Sequence, residues 1–289
     1  MSEPADTVSW RALLADAVAR LGARDEARWV CEAASGRDLT EWTLGLDDRA
    51  TERAVARLDA MVARRLGGEP LQYVIGSWPF RTLELMVDRR VLIPRPETEE
   101  VVDVALGLAR SLPAPRTVVD LGTGSGAIAL SLAAELPLGS TTVWATDASA
   151  DALDVARANV AGLGRPAVHV RVAHGSWWDA LPAELRGAVD LAVANPPYVA
   201  VDDDVEPVVA EWEPSLALWS GVDGLDAIRA IGAGAARWLR PGGWLVMEIG
   251  AAQATSVAAI LAKAQMGDVS LRSDAGGRVR VAVARRAGA

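Results

Sequence analysis

Asn195-Pro196-Pro197-Tyr198 follows an apolar run, Asp190-Leu191-Ala192-Val193-Ala194, and its residue types suit chemistry on nitrogen. Two successive prolines fix the backbone and cannot continue a central strand, so the motif belongs to a loop at the strand's carboxyl end. Proline at 197 leaves the Pro196 carbonyl without a neighbouring N–H to compete for it. The Asn195 side-chain oxygen and that carbonyl can then accept the two hydrogens of one NH2 group. A planar amide or amino nitrogen has a delocalised lone pair and is a poor nucleophile. Holding both N–H bonds favours the pyramidal nitrogen that forms as it attacks, which combines positioning with stabilisation of developing charge. Tyr198 offers a ring face to a planar group. A rigid turn would account for the prolines, but for neither the asparagine nor the tyrosine.

A second motif lies upstream. Val118-Val119-Asp120-Leu121 leads into Gly122-Thr123-Gly124-Ser125-Gly126 and then a helical stretch, Ala127 to Leu136. Small residues there let the backbone approach a ligand at the carboxyl end of a strand. The spacing differs from the dinucleotide pattern, whose last glycine comes three residues after the second. The next strand ends in Asp147, roughly 20 residues beyond the glycines, where a carboxylate can accept both ribose hydroxyls of a nucleoside. Helix capping beside Ser149 is the plainer role for Asp147; the flanking motifs favour the ribose. Asp120 can either face a cofactor's ammonium group or stabilise the turn. With the nitrogen-binding motif, the pattern expected is that of an S-adenosylmethionine-dependent methyltransferase, the bound nitrogen attacking a sulfonium methyl.

The elements that must carry these motifs follow from periodicity. Trp10, Leu13, Leu14, Ala17, Val18 and Leu21 recur at helical spacing, with Gly22 as a stop. A second helix is expected from Asp25, as N-cap, to Ser35-Gly36, and a third through Ala54, Val55, Leu58, Met61, Val62 and Leu66. Leu83, Leu85 and Val87 then alternate with Thr82, Glu84 and Met86 ahead of Val91-Leu92-Ile93, which reads as a β-hairpin over 82–93. Strands are expected at 117–121, 142–146, 168–172, 189–194, 244–249, 269–272 and 279–283. Helices intervene through the fifth and once after it, which implies a mostly parallel sheet covered on both faces. The final strand, with no helix before it, should be antiparallel. The division expected is a helical domain over 1–76, a hairpin linker over 77–96 and an α/β, Rossmann-like catalytic domain over 97–289.

Of the 289 residues, 51% are hydrophobic and 23% charged, as in ordinary globular proteins. The net charge of −9 disfavours a broad grip on nucleic acid, which needs clustered positive charge. No run reaches the ~18 apolar residues of a membrane helix. The start, Met1-Ser2-Glu3-Pro4-Ala5-Asp6, is acidic where a secretory signal is basic, so a cytoplasmic address is expected. A single cysteine, Cys31, leaves no internal disulfide and reads as a small core residue. No metal is expected.

Further segments carry a family resemblance over roughly 65–285, and loosely into the N-terminal helices. They are Glu69-Pro70-Leu71-Gln72-Tyr73-Val74-Ile75-Gly76, Leu92-Ile93-Pro94-Arg95-Pro96-Glu97-Thr98-Glu99, Glu213-Pro214-Ser215-Leu216-Ala217-Leu218, Asp223-Gly224-Leu225-Asp226 and Glu248-Ile249-Gly250-Ala251-Ala252-Gln253. With the two motifs above, the chain resembles the bacterial protein-(glutamine-N5) methyltransferases that act on peptide chain release factors. The resemblance implies a small N-terminal helical domain, a β-hairpin linker and a seven-stranded methyltransferase domain. The helical domain, the one sizeable region unassigned to cofactor or catalysis, is expected to be the substrate-recognition domain. The resemblance also implies S-adenosyl-L-methionine contacts at Gly122, Thr123, Gly124, Ser125, Gly126, Asp147, Trp177 and Asn195. The glutamine of class 1 release factors would be held by Asn195, Pro196, Pro197 and Tyr198, in a role in translation termination, with no stable nucleic acid and no membrane as partner. Trp177 would pack on adenine, although Ser176 replaces the family's usual acid before it; plain core packing is its other role. Ser220-Gly221 replaces a more usual Gly-Gly. The 199–221 loop, with Asp202-Asp203-Asp204, is expected to border the substrate site. Adenine-N6 DNA methyltransferases share the four-residue motif, acting on a flipped base, but a DNA-gripping surface is missing from this sequence. A related family methylating a glutamine of a ribosomal protein typically lacks the run at 94–99. A non-enzymatic cofactor-binding scaffold would have no reason to keep Asn195 with both prolines.

Overall fold

A computed structural model describes residues 8–274 and 276–288; the acidic start at 1–6 lies outside them. The chain divides into two units, Met1–Ser77 and Trp78–Ala289.

The first unit holds α1 (Trp10–Leu21), α2 (Arg24–Ser35), α3 (Leu39–Leu44), α4 (Glu52–Leu66) and α5 (Leu71–Ile75). Ser9 and Thr51 cap α1 and α4 by accepting the amides of Ala12 and Ala54. Gly22 and Gly36 end α1 and α2 in left-handed conformation. Asp25 is not the cap of α2, as expected from sequence. It lies in the first turn after Ala23, where its charge faces the positive end of the helix. The short α3 and α5 were not anticipated, because one or two turns give no periodicity to read. Trp10, Trp42, Val30, Leu58, Met61 and Val62 form the core, the two indoles meeting edge-on with centroids 5.4 Å apart. Cys31 lies among them, its thiol pushed up to about 12 by burial, consistent with a packing role.

After α5, β1 (Ser77–Phe80) and β2 (Leu83–Met86) form the hairpin. The expected hairpin over 82–93 is therefore displaced upstream, and Val91-Leu92-Ile93 is not a strand. The reason is where its backbone bonds go: the Ile93 amide is taken by the Glu213 carboxylate instead of a strand partner. There follow α6 (Pro96–Ser111), β3 (Arg116–Leu121), α7 (Ala127–Glu135), β4 (Thr141–Asp147), α8 (Ala150–Gly162), β5 (Val170–His174), β6 (Val189–Ala194), α9 (Pro207–Trp212), α10 (Asp226–Trp238), β7 (Leu239–Glu248), α11 (Ala254–Lys263), β8 (Met266–Ser273) and β9 (Val279–Arg286). They build one seven-stranded sheet in the order β5-β4-β3-β6-β7-β9-β8, with β9 antiparallel to both its neighbours.

Two expectations shift. The strand read at 168–172 starts at Val170, because Pro166 opens a 3-10 turn over Arg165–His169. Only short 3-10 turns, and no α-helix, join β5 to β6. Successive strand residues feed opposite faces. Val118, Leu191, Val193 and Val246 join α6 and α7 in one core, while Val119, Ala192, Ala194, Leu245 and Met247 join α10 and α11 in the other. This double cover leaves the carboxyl ends of the central strands as the open edge. No helix among the described residues is long and apolar enough to cross a membrane.

Candidate active site

The carboxyl ends of β3, β4 and β6 converge on a cavity of about 450 Å³. Gly122, Gly124 and Gly126 all have positive φ (80°, 54° and 91°), which explains three glycines where side-chain residues would be strained. Gly122 also answers to Trp177, since a Cβ there would stand 3.2 Å from the indole ring. Trp177 itself is held at φ 47°, an uncommon conformation for a bulky residue, and lines the cavity beside Ser176. The next residue, Trp178, does the core packing: it is buried, donates Nε1–H to the Ile231 carbonyl at 2.8 Å and stacks on Trp238.

Asp147 ends β4 on the cavity wall. Its Oδ2 accepts the Gly124 amide at 2.9 Å and its Oδ1 the Ser149 amide at 2.8 Å, so it ties the glycine turn to the start of α8. Each oxygen keeps a lone pair for further donors. Ser149, not Asp147, is the side-chain cap of α8. Burial pushes the Asp147 carboxyl upward, against the pull of these backbone bonds. Asp120 is fully buried and is not part of the cavity wall. Its Oδ2 accepts the Thr123 hydroxyl at 2.6 Å and the Ala129 amide at 3.1 Å, and of its two possible roles this is the turn-stabilising one. Burial pushes its carboxyl up to about 7.

At the end of β6, Asn195 and Pro197 line the same cavity as Gly122, Thr123, Gly124, Ser125, Asp147 and Trp177. Gly126 lies just behind, as the first turn of α7 begins. Pro196 is buried, and its carbonyl accepts no backbone bond among the described residues. Tyr198 is turned away from the cavity wall: its hydroxyl donates to Glu248 Oε1 at 3.3 Å, and burial pushes it up to about 12, so it remains a neutral donor. Its expected stacking face is not brought to the cavity. The 199–221 loop contributes Pro214, Leu216, Ala217, Trp219, Ser220 and Gly221 to the wall. The Ser220 hydroxyl accepts the Ala227 amide at 2.9 Å, which gives this departure from Gly-Gly a structural job at the start of α10. Asp202, Asp203 and Asp204 are exposed and lie outside the wall.

Four supporting residues lie in segments that carry the family resemblance, but the sequence gives them no role. Glu213 is buried, bonding Ile93 and the Arg95 guanidinium, the latter at 2.5 Å, and so ties the loop to the strap at 91–95. Gln253 donates to the Tyr198 carbonyl at 2.9 Å. Thr98 donates to Glu248 Oε2 at 2.6 Å and accepts Asn195 Nδ2 at 3.0 Å. A signal was present for Glu248: a carboxylate closing the apolar run Trp244-Leu245-Val246-Met247 must be buried with partners.

The donor set fits a nucleoside with an attached amino acid. A volume of this size is typical of ligand sites, the glycine turn opens a path for close backbone approach, and the Asp147 carboxylate stands on the wall beside it. The PrmC N-terminal domain model matches residues 9–76 and the methyltransferase small domain model residues 100–212. The release factor glutamine methyltransferase of Cereibacter sphaeroides is 42% identical over 265 residues, 91% of each chain. Its counterpart in Gloeobacter violaceus is 44% identical over 268 residues, 91% of this chain and 90% of that one. A methyltransferase from Pyrococcus furiosus, solved by crystallography, shares the fold with a TM-score of 0.51 at 16% identity, over 78% of this chain and 97% of that one.

Proposed function

Because the chain belongs to the release factor glutamine methyltransferase family, we propose that it methylates the side-chain amide nitrogen, N5, of the glutamine in the Gly-Gly-Gln motif of class 1 peptide chain release factors. The observation that carries this reading is that Asn195 shares one cavity with the glycine turn and Asp147. S-adenosyl-L-methionine, when bound, supplies an electrophilic sulfonium methyl and leaves as S-adenosyl-L-homocysteine. Gly122 to Gly126 cradle it, Asp147 accepts from the ribose and Trp177 packs on the adenine. Asn195 Oδ1 and the Pro196 carbonyl each accept one N–H of the glutamine amide. That pair withdraws the nitrogen lone pair from conjugation, aims it at the methyl and stabilises the positive charge that grows on nitrogen, which then gives up one N–H proton to solvent to leave the neutral N-methyl amide. The acidic net charge goes against a DNA substrate, and the names of the relatives support a release factor over a ribosomal protein. Such a substrate places the enzyme in the cytoplasm.

Asn195→Ala tests the reading. Turnover should fall by roughly 10²-fold or more, as for loss of an oxyanion-type contact. Affinity for S-adenosylmethionine should stay within about tenfold, since one hydrogen bond contributes ~0.5–1.5 kcal/mol. Single-turnover rates on a release factor, set beside calorimetric affinities, decide it; near-normal turnover would sink the role of Asn195.

A further inference from the structure

Asn195 can accept a substrate N–H only if its amide turns Oδ1, not Nδ2, towards the reacting nitrogen. The two ends of an asparagine amide have nearly the same shape, and rotation about the last side-chain bond exchanges them. A flipped amide would oppose N–H to N–H. Something must choose between the two orientations.

The choice is made outside the motif, by groups that have only one way to bond. Glu248, the last residue of β7, is 1% exposed, and burial pushes its carboxyl up. The hydroxyls of Thr98 and Tyr198 and the charge of Arg280 pull it back down. With both oxygens facing hydroxyl donors it is held as a carboxylate, which can only accept. Its Oε2 takes the hydroxyl hydrogen of Thr98 at 2.6 Å, the length of a charge-assisted bond, and its Oε1 takes that of Tyr198 at 3.3 Å. Thr98 has a single hydroxyl hydrogen, which is thereby committed. Towards Asn195 its oxygen has only lone pairs left, so it can meet Nδ2, at 3.0 Å, and cannot meet Oδ1. Oδ1 has no partner among the described residues and is not one of the buried polar atoms left unbonded, so it opens to the cavity that Asn195 lines. We infer that Thr98 and Glu248 are positioning residues that set which end of the Asn195 amide meets the substrate nitrogen.

The inference rests on the reading that Asn195 Oδ1 accepts a substrate N–H, and it assigns work to two segments, 94–99 and 248–253, that otherwise have none in the reaction. Thr98 lies in the first turn of α6, where Pro96 at the opening position sets the backbone. Glu248 reaches it from the far side of the sequence on a strand buried in the sheet. The orientation is thus held by the rigid frame, and substrate does not have to impose it.

The test is Thr98→Val, which keeps the shape and removes the hydroxyl. The productive orientation then strands Nδ2 against methyl groups, and a buried donor without a partner shifts such an equilibrium by roughly 5- to 150-fold. Single-turnover kcat should fall within that range, with S-adenosylmethionine Kd changed by less than about fivefold. Thr98→Ser, which returns the hydroxyl, should recover most of the rate. Glu248→Met, which frees the Thr98 hydrogen to bond Oδ1, should lose rate in the same way. The decisive arm is the double variant: in an Asn195→Ala background, Thr98→Val should lower kcat by less than about twofold, because there is no amide left to orient. Normal turnover in Thr98→Val, no recovery in Thr98→Ser, or a full further loss in the double variant would overturn the inference while leaving the role of Asn195 standing. Normal turnover in Asn195→Ala alone would instead remove the premise.

Discussion

Two aspartates one strand apart show how surroundings divide similar side chains between tasks. Asp147 keeps contact with the cavity and spends its bonds on backbone amides, whereas Asp120 is sealed beneath the glycine turn with Oδ1 unbonded. Asp120 therefore gives a sharp pH expectation. Its carboxyl is pushed up to about 7, while an unfolded aspartate ionises near ~3.9. Between those values the folded chain holds a proton that the unfolded chain has lost, so this group's contribution to stability falls as pH rises and levels off above about 7. Asn at this position does not titrate. The stability of Asp120→Asn relative to the parent, measured by urea unfolding without cofactor, should increase from pH 4 to pH 7 by roughly 1–4 kcal/mol, one pKa unit being ~1.4 kcal/mol. A flat or falling difference would refute the assignment. At this scale the sequence was informative where local backbone demands leave a mark, as at Pro196, Pro197 and the three positive-φ glycines. It marks Thr98 only as part of the resemblance at 92–99 and is silent on its role, because its partners Asn195 and Glu248 stand 97 and 150 residues away and are joined only by the fold.

Whole elements were legible to the extent that their periodicity repeats. The alternation that sends Val118 to one face and Val119 to the other marks β3 without ambiguity, and its neighbours read the same way. Alternation cannot say which of two adjacent extended stretches finds a partner, and so the hairpin was placed on 82–93 when its first strand is Ser77–Phe80. Nor does periodicity reveal what lies against a helix, and two glycines turn this into a prediction of opposite signs. Gly107 and Gly234 both sit inside helices, α6 and α10, where alanine is intrinsically better by up to ~1 kcal/mol. A Cβ at Gly107 meets nothing within 4 Å, so Gly107→Ala should stabilise by about that amount. A Cβ at Gly234 would stand 2.2 Å from Trp178 Cδ1. That ring cannot yield, being bonded to the Ile231 carbonyl and stacked on Trp238. Gly234→Ala should therefore destabilise by a net ~1–3 kcal/mol, as overpacking does, and should weaken cofactor binding through the adjoining Trp177. Urea midpoints of the two variants check it; equal signs would mean that helix propensity, not the indole, governs both sites.

For the whole molecule the open question is how an enzyme that grips one side chain chooses among the many glutamines on protein surfaces. A pocket fitted to a single amide cannot discriminate, so selectivity must come from contacts away from the reacting nitrogen. The helices of Met1–Ser77 carry none of the cofactor or catalytic residues, and they have an apolar core of their own around Trp10 and Trp42. The second unit likewise has its own cores on both faces of its sheet. Each unit thus buries its own apolar residues, and deletion of 1–76 should leave a folded domain that binds S-adenosylmethionine and methylates a short Gly-Gly-Gln peptide weakly. On an intact release factor, kcat/KM should drop towards the peptide's value, because the contacts that single out the protein are gone. Circular dichroism and cofactor affinity come first, since aggregation of the truncated chain would mean that the helices chiefly cover apolar surface. A second arm keeps the chain whole: Leu39 and Leu44 on α3 are 62% and 82% exposed, and Leu39→Ser with Leu44→Ser leaves the core untouched. If α3 contributes to recognition, this pair should raise KM for the release factor several-fold and leave the rate on the peptide unchanged. A truncated domain that folds and still methylates the intact release factor at full efficiency would show that the helical unit has no part in choosing the target.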